Sequence, residues 1–155
     1  ADVVVASEVE LTRALESGSA QANSDVDLAR IPWVWRGPAA AAASAGSLSS
    51  AGPVALPDGP ASYEARRALR QAGSAIVETA DVAALKDAPL ALVPLSLAGD
   101  GPRIAVTAVP PLIARAALGS DPRHPDDARA FLQYLASEDG QRAFAACSNS
   151  ATNGK

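Results

Sequence analysis

Cysteine, histidine and methionine are almost missing from this chain of 155 residues: Cys147 and His124 stand alone, and there is no methionine. One cysteine excludes an intrachain disulfide and any cysteine-based metal cluster. His124 lies in the Pro-rich stretch Asp121–Pro125 beside Asp126 and Asp127, without the clustered His/Cys spacing of a metal site. Aromatic residues make up 4%, so a core must be built from Ala, Val, Leu and Ile. No apolar run reaches bilayer-spanning length, and the small-residue stretch Ala39–Ala43 is far too short. Positive charge is not in excess. A net charge of −4 and a pI near 4.9 exclude the basic footprint of a nucleic-acid binder. The chain opens directly on Ala-Asp-Val-Val-Val rather than on a signal-peptide pattern, as a mature exported chain or an internal stretch of a longer protein would.

What is present suffices for folding. Hydrophobic residues reach 48% and charged residues 19%, which fits one domain or two small lobes sharing a hinge. Val3–Ala6 reads as a buried strand ending at Ser7, and Glu8–Glu16 as a helix with Leu11, Ala14 and Leu15 on one face and Gly18 as its stop. Leu28–Arg36 reads as one extended segment in which Trp33 and Trp35 share a face, with core packing favoured over a stacking platform. The Ala- and Ser-rich stretch Gly37–Gly52 suits a surface helix over Pro38–Ser44 or a flexible connector. Strands are expected at Pro53–Leu56, Ala75–Val77, Leu90–Val93, Arg103–Val109 and Leu112–Leu118. Helices are expected at Ala61–Ala72, with Arg66, Arg67 and Arg70 as a solvated face, and from a Thr79 cap to about Lys86. Strand–helix alternation of this kind argues for an α/β architecture with largely parallel sheets.

The closing stretch Asp126–Cys147 carries two helices. Ala128, Phe131, Leu132 and Leu135 keep helical spacing, Ser137 caps the second helix, and that helix turns Phe144 and Cys147 inward. Ser148–Lys155 is polar and expected to be frayed or disordered. The best place for chemistry is the loop-to-helix junction Pro57–Glu64, PDGPASYE. There the free N–H groups of a helix start, with Ser62 and Tyr63 adding hydroxyls, form an anion-binding arrangement; an ordinary connection is the bland alternative. Ser7 and Ser96 lie at strand ends without a nucleophile elbow, and no acid, base and nucleophile cluster together, so an enzyme is the least favoured reading.

The wording A-x-A-F-L-x-Y-L-x-S-x-x-G-Q-x-x-F of the closing stretch resembles the last segment of extracytoplasmic solute-binding proteins, especially the molybdate-binding type. LPDGPASYEARRAL resembles the segment that opens the second lobe in that family and lines its ligand cleft. LALVPLSLA, PLIARAAL and the opening ADVVVAS resemble further family strands, the last ending at Ser7. The resemblance implies a type II periplasmic-binding-protein-like fold of two small lobes with mainly parallel sheets flanked by helices. It implies a first lobe of residues 1–50 and 110–147, a second lobe of 51–109, and a disordered tail of 148–155. Ala61, Ser62, Tyr63, Val82 and Ser7 become the candidate ligand-binding residues, with backbone N–H groups of Ala61 and Val82 facing the ligand.

By the same resemblance the first lobe is incomplete. An N-terminal strand and helix and a further loop, which carry two ligand-holding serines in the family, do not precede ADVVVAS, and Pro94 replaces a tyrosine that many members use. A longer parent protein, a second chain completing the lobe, or a remodelled lobe would each resolve this. The function implied is periplasmic or extracytoplasmic capture of a small oxyanion such as molybdate, tungstate or sulfate for an ABC permease. No cofactor, metal, nucleic acid or membrane span is expected. The alternative is a sensor or assembly domain of the same fold with no transport ligand.

Overall fold

A computed structural model describes residues 1–43 and 46–150, which form two compact units. In chain order the strands and helices begin β1 (Val3–Ser7), α1 (Glu8–Glu16), β2 (Val26–Ile31), β3 (Trp33–Arg36), β4 (Val54–Pro57) and α2 (Tyr63–Gln71). They continue β5 (Ile76–Thr79), α3 (Val82–Asp87), β6 (Ala91–Pro94), β7 (Arg103–Ala105), β8 (Leu112–Leu118), α4 (Pro125–Ala136) and α5 (Glu138–Ser150).

The first unit joins Ala1–Arg30 to Ile113–Asn149 around a three-stranded sheet of order β1-β8-β2. β1 and β8 run antiparallel, Val3 facing Leu118 and Ser7 facing Ala114. Because side chains alternate along β8, Ala117 packs on one face with Leu11 of α1, while Ala116 and Leu118 pack on the other with Ala128, Leu132 and Leu135 of α4. α1 starts where a capping box forms. The Ser7 N–H and hydroxyl donate to the Glu10 carboxylate (3.2 and 2.6 Å), and Ser7 Oγ accepts from the Glu10 N–H (3.4 Å). Arg115 of β8 pairs with Asp25 and Asp27, tying the start of β2 to the central strand.

The second unit is built from Ile31–Leu112. Its five-stranded sheet has the order β5-β4-β6-β3-β7. β5, β4 and β6 are parallel, whereas β3 runs antiparallel to both β6 and β7. α2 lays Ala65 and Leu69 against Trp33, Trp35, Val54, Leu56 and Leu92 on one face. α3 places Leu85 against Val34, Ala55, Ala91 and Val93 on the other. The alternating Trp33-Val34-Trp35 thus serves two cores at once, and both indoles are buried. Arg36, at the end of β3, donates to the carbonyls of Ala98 and Lys86, fastening the sheet to the end of α3.

Several expectations are corrected by these placements. Leu28–Arg36 is two strands, not one, because Pro32 has no N–H for a ladder; its carbonyl instead accepts from the Leu95 N–H (2.8 Å). Residues 31–43 and 46–50 group with the second unit. The Ala-rich stretch forms a 3-10 turn, Pro38–Ala42, with Ala40 in the core; residues 44 and 45 lie outside the described residues. Gly37 turns there at φ 109° where a Cβ would lie 2.5 Å from the Pro89 carbonyl oxygen. The strand expected over Arg103–Val109 is only three residues long. Phe131 is 49% exposed, at the margin of the stripe formed by Ala128, Leu132 and Leu135. α5 runs on through Ser150, since its ladder continues past the expected fraying point. Residues 151–155 of the expected tail and the side chain of Cys147 lie outside the described residues. Among the described residues no helix is long and apolar enough to cross a membrane.

Candidate functional site

The loops that leave the parallel strands β4 and β5 emerge side by side, because Pro57 stands opposite Thr79 in their register. The Asp58 N–H donates to the Thr79 carbonyl (3.0 Å), joining the two loops at their roots. The chain leaves β4 toward β5 but leaves β6 toward β7, on the other side of the sheet. Diverging connections at the carboxyl ends of neighbouring parallel strands mark the place where open α/β sheets take ligands.

From β4 the chain turns at Gly59, φ 112°, into a 3-10 turn over Pro60–Ser62, and α2 begins only at Tyr63. The helix therefore starts two residues later than expected at Ala61. Within the turn the Ser62 N–H donates to the Gly59 carbonyl (3.3 Å) and the Tyr63 N–H to that of Pro60. The Ala61 N–H has no partner among the described residues. Ser62 is 2% exposed, and its side chain makes no capping hydrogen bond to α2. Tyr63 is 53% exposed, its phenol facing solvent.

Val82 opens α3 and is 43% exposed. The expected cap is corrected here: Asp81, not Thr79, caps the helix, its carboxylate accepting from the Ala83 N–H (2.8 Å), and Thr79 Oγ1 accepts from the Asp81 N–H (3.0 Å). A carboxylate accepts better at that point than a neutral hydroxyl and answers the helix dipole as well. The Val82 N–H, at the first helical position, has no partner among the described residues. Ser7 belongs to the first unit, where its hydroxyl proton goes to Glu10; a ligand role would displace that contact.

Two residues of this region escaped the sequence reading. Asp58 accepts from the Gly59 N–H (2.7 Å), an Asx-type contact that the Asp-Gly-Pro wording signals. Arg66, expected as part of a solvated face, is only 18% exposed in its side chain. It pairs with Glu78 of β5 and donates to the Gly59 carbonyl (3.2 Å). Helical spacing gave no hint of it, because the partner stands on another element. Elsewhere, His124 precedes the first turn of α4, and among the described residues no group of three His, Cys, Asp or Glu side chains could hold a metal ion.

A family model described as bacterial extracellular solute-binding protein matches residues 1–146. No curated protein matches the chain in sequence. Among solved structures, the chain is similar to the periplasmic molybdate-binding protein of Azotobacter vinelandii, with a TM-score of 0.69 and 14% identity over 95% of this chain and 76% of that one. The substrate binding domain assigned to a molybdenum ABC transporter of Clostridium difficile gives 0.63 and 18%, over 93% and 74%. The reduced regulatory domain of OxyR from Pseudomonas aeruginosa gives 0.52 and 15%, over 93% and 72%. At such identities the likenesses speak to fold, which is of the type II periplasmic-binding-protein-like kind.

Proposed function

Because the chain belongs to the bacterial extracellular solute-binding protein family, we propose that it captures a small tetrahedral oxyanion and hands it to an ABC permease outside the cytoplasm. The observation that carries this reading is the start of α2, where the Ala61 N–H has no partner among the described residues and the buried Ser62 does not cap the helix. The unused Val82 N–H, at the same end of the sheet, is the further donor. Neutral donors suit a dianion: hydrogen bonds spread its charge without a fixed counter-ion, and the dipole of α2 adds a favourable field. Tyr63, half exposed at the first position of α2, is the proposed source of a phenol donor.

Isothermal calorimetry with molybdate, tungstate and sulfate tests the proposal. Saturable heat from at least one, abolished by Ser62→Val, is the expected result; silence from all three removes the oxyanion. A second reading, a sensor or assembly domain without a transported ligand, draws support from Asp58 and Asp81. Both put negative charge next to the proposed donors. Under that reading the three anions stay silent and the protein is recovered bound to a macromolecular partner.

A further inference from the structure

We propose that Arg66 is the positioning residue of this site, setting the turn that presents the Ala61 N–H and holding it in register with the loop that presents the Val82 N–H. The inference rests on the oxyanion reading for its ligand but not for its geometry.

The Gly59 carbonyl accepts twice, from the Ser62 N–H that closes the 3-10 turn and from Arg66 Nη2. That carbonyl belongs to the peptide joining Gly59 to Pro60; because the ring fixes the Pro60 φ, only the Pro60 ψ separates that plane from the one carrying the Ala61 N–H. Gly59 at φ 112° has no side chain to restrict it, and nothing within 4 Å would meet a Cβ there. Left alone, such a peptide has more freedom than any other in the loop. Arg66 removes that freedom from one turn further along α2. Its own place is fixed by Glu78, which precedes Thr79 on β5. Thr79 in turn accepts from the Asp58 N–H with its carbonyl and from the Asp81 N–H with its hydroxyl. One guanidinium thus links both loops through the strand between them.

The planar fork of arginine can serve a carboxylate and a carbonyl at once; a lysine ammonium, a flexible point charge, keeps the ion pair but not that geometry. With its charge answered by Glu78, Arg66 acts through the turn, not as a ligand.

The test uses Arg66→Lys and Glu78→Gln, with Arg70→Lys as a control on the exposed face of the same helix. Hydrogen exchange is followed in the ligand-free protein at the bonded amides of Asp58, Ser62 and Tyr63, alongside melting temperature and calorimetry with molybdate, tungstate and sulfate. Arg66→Lys is expected to speed exchange at Ser62 and Tyr63 about tenfold, leaving β6 amides and the melting temperature unchanged, and to weaken anion binding about tenfold. Glu78→Gln is expected to give a smaller change of the same pattern, and Arg70→Lys none. Wild-type exchange at Ser62 and Tyr63 in Arg66→Lys overturns the proposal. So does a rise spread over the whole unit in both variants, which marks Arg66 as a general pin. If the wild type binds none of the anions, the oxyanion reading falls, and exchange still decides the role of Arg66.

Discussion

Two aspartates decide how much anion the site would tolerate. Asp58 takes the Gly59 N–H and Asp81 takes the Ala83 N–H, so each loop spends one donor on its own side chain. Each carboxylate also sets a negative charge near the place a dianion would occupy, and charges a few ångströms apart at a protein surface interact by roughly a few kcal/mol before salt screening. Asp58→Asn keeps the acceptor for the Gly59 N–H and removes the charge. Its expected effect is a gain of about three- to tenfold in oxyanion affinity, shrinking as salt is raised, measured by calorimetry at two ionic strengths. An unchanged or weaker affinity would place the anion away from this turn. Ser62 is buried and does not cap α2. Ser62→Ala is expected to leave the melting temperature of the free protein unchanged while lowering anion affinity.

The closing helix pair shows how a sequence wording arises from packing. At the junction of α4 and α5, Ser137 Oγ accepts from the Gly140 N–H (3.2 Å), and Gln141 Nε2 donates to the carbonyls of Leu135 (2.8 Å) and Asp27 (3.0 Å). A Cβ on Gly140 would stand 2.0 Å from the Tyr134 carbonyl oxygen. Alanine normally improves a helix over glycine by about 1 kcal/mol, yet here the contact is with backbone, which cannot swing away. Gly140→Ala is therefore expected to destabilise the protein by about 1–3 kcal/mol, visible as a lower denaturant midpoint. The elements with regular periodicity, α1, α2, α4 and the strand cores, were legible in the sequence because burial on one face leaves a pattern that local reading detects. Pro32 hid a change of sheet inside what reads as a single apolar run. The 3-10 turn before α2 was hidden too, since Ala61 and Ser62 suit either geometry and the choice rests on Gly59 and on Arg66 from the next turn. Candidate donors at Ala61, Ser62 and Val82 could be named from wording, but which N–H groups stay free depended on Asp58 and Asp81, and short-range capping of this kind competes residue by residue.

At the scale of the whole molecule, every strand of the second unit lies in the stretch Ile31–Leu112, while the first unit joins Ala1–Arg30 to Ile113–Asn149. In the second unit β4 finds β5 across one helix and β6 across two. In the first unit Val3 must find Leu118, its partner from the far side of everything between. Contacts distant in sequence form later because chain closure must be achieved before they contribute. Pulse-labelling hydrogen exchange during refolding is expected to protect amides of β4 and β6 before those of β1 and β8; simultaneous protection would show that the units fold as one. The order has a consequence during synthesis. Val3–Ser7 leaves the ribosome well before Leu112–Leu118 and carries neither a charge nor a proline, the usual guards of a strand edge. Until Leu112–Leu118 is made, this β-branched strand has no partner in β8, and its edges are open to pairing with other chains.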